Sequence, residues 1–133
     1  MIVVALDGPS GSGKSSTSKA IAIRAGWNYL DTGALYRAMT FLALSIKSEN
    51  PKDIIAAVID KPITFVSDPR EPKVFLDGKD ISKEIRSHEV TEKVSVISAL
   101  AEVRAELLTL QRAIIKKAER GIVVEGRDIG TVV

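Results

Sequence analysis

The sequence predicts an α/β fold: a parallel sheet with flanking helices and a small antiparallel insert. Three observations carry that prediction. Ile2-Val3-Val4-Ala5-Leu6 is a continuous apolar run, as expected of a strand buried on both faces, and a glycine-rich loop and a helical pattern follow it directly. A second such run, Ile122-Val123-Val124, follows a long helical stretch near the other end of the chain. Between them, over residues 62–82, the apolar spacing changes from the helical period of about 3.6 to the strand period of about 2. A β-meander within a helical stretch of an α/β chain reads as an insert.

The elements follow in order. Lys14 to about Ala25 reads as a helix, with Ala20, Ile21 and Ile23 before a Gly26 stop. Trp27-Asn28-Tyr29-Leu30 is a short strand, and Asp31-Thr32-Gly33 turns the chain into another helix. There Leu35, Met39, Leu42 and Ile46 recur at helical spacing and are expected in the core, with Met39 and Phe41 as core filling. Asn50-Pro51 reads as an N-cap followed by proline at the first helical position; Ile54, Ile55, Val58 and Ile59 form the stripe, and Pro62 ends the helix. Ile63 and Phe65 alternate with Thr64 and Val66. Ser67-Asp68-Pro69-Arg70-Glu71-Pro72 is a turn cluster, and Val74-Phe75-Leu76 meets Asp77-Gly78, a hairpin signal. Ser87 is placed to cap a helix carrying Val90, Val94 and Ile97, with His88 as a surface residue of its first turn. A last helix is expected from about Leu100 to Arg120, with Val103, Leu107, Leu110 and Ile114 buried and Gly121 as its stop. It leads into Ile122-Val123-Val124.

Composition excludes several chemistries. The chain has 133 residues, 45% hydrophobic and 27% charged, which is enough for a domain with a real core. There is no cysteine and only one histidine, so disulfides, thiol nucleophiles and His- or Cys-cluster metal sites are out. The net charge of +2 and the lack of a basic stripe argue against nucleic acid as a partner. No apolar run approaches a membrane span and no signal peptide is evident, so a cytoplasmic location is expected. The sequence stops at Gly130-Thr131-Val132-Val133, just past the second buried run, with fewer strands and covering helices than a parallel sheet needs; it reads as incomplete.

The chemistry is concentrated at one motif. Gly8-Pro9-Ser10-Gly11-Ser12-Gly13-Lys14-Ser15 fits G-x-x-x-x-G-K-[ST] at every fixed position, between a strand and a helix. This points to the P-loop containing nucleoside triphosphate hydrolase fold. Glycines let successive backbone N–H groups turn toward phosphate oxygens. Lys14 is placed to bridge the β- and γ-phosphates of ATP, Ser15 to ligate Mg²⁺, and the helix N-terminus adds about half a positive charge. In parallel sheets ligands bind at the carboxyl ends of the strands, where three segments should converge: the P-loop, Asp31–Arg37 and Glu125-Gly126-Arg127-Asp128. Arg37 and Arg127 suit bidentate phosphate contacts, although Arg127 can also pair internally with Asp128 or Glu125. For the acidic role behind Mg²⁺, Glu125 and Asp128 are both candidates that spacing does not separate; Asp7 is a third, assisting the ion's shell or holding the loop.

Together these segments resemble the bacterial cytidylate kinases, a family of nucleoside monophosphate kinases. Asp7–Lys14, Asp31-Thr32-Gly33-Ala34-Leu35-Tyr36-Arg37 and Gly126-Arg127-Asp128-Ile129-Gly130-Thr131-Val132-Val133 carry the resemblance, and the meander resembles the insert of that family's monophosphate-binding domain. The resemblance implies a core ATP-binding domain at 1–30 and 120–133, incomplete at its C-terminus. It implies a monophosphate-binding region at 31–119 whose insert spans about 62–86. It implies transfer of the ATP γ-phosphate to CMP or dCMP, in pyrimidine nucleotide metabolism, by a protein that is monomeric when complete. Gly8, Pro9 and the segment from Ser10 to Ser16, which contains Gly11, Ser12, Gly13, Lys14 and Ser15, would hold ATP phosphates. Lys14, Arg37 and Arg127 would be catalytic; Ser10, Arg37 and Arg127 would contact the acceptor phosphate. Thr32 would lie near the acceptor base, and Ser95, Arg104 and Asp128 would recognise cytosine. Mg²⁺ would sit on Ser15, with Asp7 or Glu125 reaching it through water. Rival readings are another nucleoside monophosphate kinase, a non-catalytic P-loop nucleotide-binding fragment, and a switch or motor NTPase; against the last, no separate water-positioning motif is found.

Family members continue past Thr131-Val132-Val133 into a lid whose arginines neutralise the transferring phosphoryl group, and such a group contributes about 10³–10⁵ in rate. The 133-residue chain by itself is therefore expected to turn over poorly or not at all. Normal CMP-dependent ADP production by this chain in a coupled assay would overturn that expectation.

Overall fold

The computed structural model describes residues 1–7 and 13–126, the Lys14 side chain excepted. Six strands and five α-helices are found among them: β1 (Ile2–Asp7), α1 (Lys14–Ala25), β2 (Asn28–Asp31), α2 (Thr32–Ile46), α3 (Pro51–Asp60), β3 (Ile63–Val66), β4 (Lys73–Leu76), β5 (Lys79–Asp80), α4 (His88–Ser98), α5 (Ala101–Lys117) and β6 (Gly121–Gly126), with a 3₁₀ turn at Glu84–Arg86. Contacts divide the chain into two compact units. No helix among the described residues is long and apolar enough to cross a membrane.

The first unit comprises Met1–Gly33, Val66–Pro72 and Leu110–Val133. Its sheet is parallel with the order β1-β6-β2, so the last strand lies between the first two. Every residue of β6 is buried, as a central strand of β-branched residues requires. β1 departs from expectation. Among the described residues it pairs with β6 along one edge only, and Ile2 and Val3 are 56% and 40% exposed where burial on both faces was predicted. The apolar run specified a strand but not its place in the sheet. At the other edge, the turn segment after β3 covers β2: Tyr29 N–H donates to Ser67 O (2.9 Å), and Asn28 Nδ2 donates to Ser67 Oγ (2.7 Å).

α1 begins at Gly13, whose φ of +79° is a left-handed conformation that glycine adopts without strain, and ends at Gly26, also left-handed. Its buried residues are Ser18 and Ala22, four apart, while Ile23 is exposed. The helix thus turns small residues inward, and its apolar members are not its core face. A similar drift affects α5. It buries Val103 and Leu107 as predicted, then Gln111 and Ile115 in place of Leu110 and Ile114, which are half-buried. Steps of four run from 103 to 115 without a break; a polar Gln111 on that line hid it from the apolar pattern.

The second unit comprises Ala34–Phe65 and Lys73–Thr109. Leu35, Met39 and Leu42 of α2 are buried, whereas Ile46 and Phe41 are half-buried. Asn50 caps α3 by accepting from Lys52 N–H, with Pro51 in the first turn, and Ser87 caps α4 by accepting from Val90 N–H (3.3 Å). The meander is a small sheet of order β3-β4-β5. β4 and β5 pair antiparallel through Asp77 and Gly78, both at positive φ, as a two-residue type I′ hairpin needs.

Gly121 was predicted to stop the last helix. α5 ends instead at Lys117, and Gly121 is the first residue of β6. Its requirement is space: a Cβ there would lie 2.8 Å from Cδ2 and Cε2 of the Trp27 indole and 3.0 Å from the Ile2 carbonyl oxygen. Gly121→Ala is therefore expected to destabilise the protein by about 1–3 kcal/mol through overpacking, read as a lower midpoint in denaturant at unchanged slope.

Candidate functional site

The carboxyl ends of the three parallel strands align. In register, Asp7 of β1 stands beside Gly126 of β6, and Asp31 of β2 beside Glu125. α1 starts at the same edge, immediately after the glycine-rich loop, and its unpaired N–H groups and dipole face there. The sequence thus delivers three backbone ends and one helix N-terminus to a single place.

Glu125 is the centre of that place. It is 1% exposed, yet it carries a carboxylate. Burying such a group is costly unless hydrogen bonds replace its water. Ser15 Oγ donates to Oε2 (3.0 Å), and the Tyr29 hydroxyl donates to Oε1. The Glu125 backbone carbonyl accepts from Thr32 Oγ1 (2.9 Å), which pins the start of α2 to the end of β6. Three elements, α1, β2 and α2, therefore converge on one residue of the central strand. Lys19 Nζ lies 5.8 Å from the centre of the Tyr29 ring, within cation–π range.

Of the residues nominated from sequence, Ser15, Thr32 and Glu125 are brought together directly, and Asp7 shares their strand edge. Ser16 is exposed in the first turn of α1. Arg37, Ser95 and Arg104 belong to the second unit. Arg37 is half-buried, and its Nη1 donates to the Ile85 carbonyl (3.1 Å) and to Thr91 Oγ1 (3.0 Å). Ser95 and Arg104 are exposed on α4 and α5. Gly8, Pro9, Ser10, Gly11, Ser12, Arg127, Asp128 and the Lys14 side chain lie outside the described residues.

Sequence reasoning passed over two participants. Tyr29 was read only as part of a short strand; the available signal was its hydroxyl, which needs a partner when the ring is buried. Thr91 gave none, because its role depends on α4 lying beside the 3₁₀ turn. A separate cleft of about 320 Å³ in the second unit is lined by Lys47, Glu49, Lys93 and Ile97 among others. It holds none of the nominated residues, and two of its charges meet in the Lys93–Glu49 ion pair (3.0 Å).

Comparison with known proteins gives the following. A family model described as cytidylate kinase matches residues 4–133. A protein named cytidylate kinase from Streptomyces griseus subsp. griseus is 52% identical over 134 residues, and one from Streptomyces avermitilis is 54% identical over 135. One of the same name from Corynebacterium glutamicum is 50% identical over 135 residues. Each of these similarities covers 99% of this chain, and the chain spans 58% of each relative's length.

The Thr32 bond has a measurable consequence. Thr32→Val keeps the shape of the side chain and leaves a buried carbonyl without that donor, so a loss of about 1–2 kcal/mol in stability is expected by chemical denaturation. An unchanged midpoint would mean that the bond is not formed in solution.

Proposed function

The chain belongs to the cytidylate kinase family, and on that premise we propose that the protein transfers the γ-phosphoryl group of ATP to CMP or dCMP, giving ADP and CDP or dCDP. The observation that supports this reading most is the bond from Ser15, the hydroxyl residue of the phosphate-binding motif, to a buried carboxylate at the end of the central strand. That edge is where a triphosphate and its divalent ion are handled in parallel α/β sheets.

The donor set fits magnesium. A hydroxyl and a carboxylate 3.0 Å apart are both oxygen donors. Mg²⁺ commonly takes one or two protein oxygens and completes its shell with water and phosphate. Among the described residues no group of three or more Asp, Glu, His or Cys side chains is arranged to cage a metal. Ser15 would ligate the ion through an oxygen lone pair while its O–H goes on donating to the Glu125 carboxylate, with Asp7 within the same edge. Bound there, magnesium would neutralise charge on the β- and γ-phosphates.

Phosphoryl transfer asks the protein chiefly for position and positive charge. In this reading the segment Gly8–Ser16 wraps the ATP phosphates, and Lys14 bridges the β- and γ-groups. Arg37 and Arg127, with Ser10, hold the acceptor phosphate in line. The Ile85 carbonyl and Thr91 hydroxyl occupy Nη1 of Arg37, which fixes the plane of the guanidinium fork before substrate arrives. Asp128 accepts from the exocyclic amine of cytosine, and Arg104 donates to the ring's acceptors; uracil, with a carbonyl at that amine position, reverses the match. Ser95 and Thr32 complete the acceptor pocket. Residues 1–30 and 120–133 form the ATP-binding part and 31–119 the monophosphate-binding part, in a cytoplasmic, monomeric enzyme of pyrimidine nucleotide metabolism whose partners are nucleotides.

The test is a coupled ADP assay on the whole protein with CMP, dCMP, UMP and AMP. CMP and dCMP should be preferred. Asp128→Asn should lower kcat/KM for CMP by about 10- to 100-fold, as loss of a base-reading pair worth about 1–3 kcal/mol implies, with KM for ATP little changed. Equal rates with all four acceptors would remove the cytidylate assignment, and ATP hydrolysis without any acceptor would favour a switch-type NTPase.

A further inference from the structure

Glu125 differs from an aspartate at the same strand end by one methylene, and so by one more rotatable bond. The last torsion of a glutamate is broad, with no staggered well to hold it. A carboxylate that must present a particular oxygen to Ser15 needs something else to fix it. In this structure the second oxygen is held by the hydroxyl of Tyr29. Both side chains are 1% exposed, so water has little access to substitute for either.

Tyr29 is itself firmly placed. It sits in β2 opposite Val123 of β6, and its backbone N–H donates to Ser67 O on the other side (2.9 Å). The ring lies beneath Lys19 at 5.8 Å, a cation–π contact that helps hold it in place. One fixed donor on Oε1 and another on Oε2 constrain the plane of the carboxylate, and neighbours in such a network reinforce one another.

We propose that Tyr29 is a positioning residue for Glu125: its hydroxyl holds one carboxylate oxygen so that the other meets Ser15, and thereby sets how tightly the nucleotide's divalent ion is bound. This inference rests on the reading of Ser15 and Glu125 as the metal side of an ATP site. Groups that orient a metal site from behind typically affect metal affinity or activity by about 10- to 100-fold. Tyr29→Phe removes only the hydroxyl; the ring stays in the core and under Lys19.

The measurement is Mn²⁺ affinity, by electron paramagnetic resonance, of the whole protein with a non-hydrolysable ATP analogue bound. Four proteins are compared: wild type, Tyr29→Phe, Glu125→Gln and the double variant. Tyr29→Phe should weaken Mn²⁺ binding by about tenfold, Glu125→Gln by at least as much, and the double variant should be no weaker than Glu125→Gln alone, because the hydroxyl acts only through that carboxylate. If Glu125→Gln weakens Mn²⁺ binding and Tyr29→Phe does not, or if the Tyr29 effect persists undiminished in the Glu125→Gln background, the positioning role is overturned and the reading of the site stands. If Glu125→Gln leaves Mn²⁺ affinity unchanged, the reading of the site fails first and the positioning role with it. Should Tyr29→Phe not fold, Tyr29→Met serves instead. It fills the place without a hydroxyl; weakened Mn²⁺ binding is expected, and wild-type affinity overturns the proposal.

Discussion

A carboxylate removed from water has to be surrounded by donors, and in the first unit much else follows from that requirement at Glu125. The residue ends the buried central strand, and its side chain and carbonyl between them accept from Ser15, Tyr29 and Thr32. Those three donors come from the start of α1, the middle of β2 and the start of α2. These bonds to one residue therefore tie together the helix behind the phosphate motif, the neighbouring strand and the first residue of α2. The same bonds that keep a buried charge tolerable set the edge at which phosphate chemistry is proposed.

The second unit solves a comparable problem with an arginine. A guanidinium has five donors and no acceptor. Arg37 spends Nη1 on a backbone carbonyl at the 3₁₀ turn and on the hydroxyl of Thr91 in α4. A rotamer-rich side chain is thereby ordered by the fold instead of by substrate, which lowers the entropy a ligand must supply. Glu125 and Arg37 are thus functional candidates whose orientation is fixed by neighbours that sequence motifs do not mark.

Where sequence reading went astray, the cause was position in the fold. The run Ile2–Leu6 was correctly a strand, but an edge place in the sheet β1-β6-β2 leaves Ile2 and Val3 in contact with solvent. Gly121 was correctly singled out, for the wrong reason. It is required where the Trp27 ring comes within reach of a Cβ, and not where a helix stops. In α1 and α5 the helices were legible but not their inward faces, because Ser18 and Gln111 take buried places that apolar periodicity assigns to other residues.

The sequence by itself determined what depends on neighbours along the chain. It marked the phosphate motif between a strand and a helix, the Asn50 and Ser87 caps and the positive-φ hairpin at Asp77-Gly78, because each follows from the backbone preferences of a few consecutive residues. It also nominated three segments for a shared site by their place at strand ends, and their resemblance to cytidylate kinases implied a chemistry for it. Only the tertiary structure decided that β6 lies between β1 and β2, and that Glu125 meets Ser15 and Tyr29. Those partners are 110 and 96 residues away in the chain. No local preference encodes such a meeting; it is fixed by sheet order and by the need to satisfy a carboxylate that the sheet has buried.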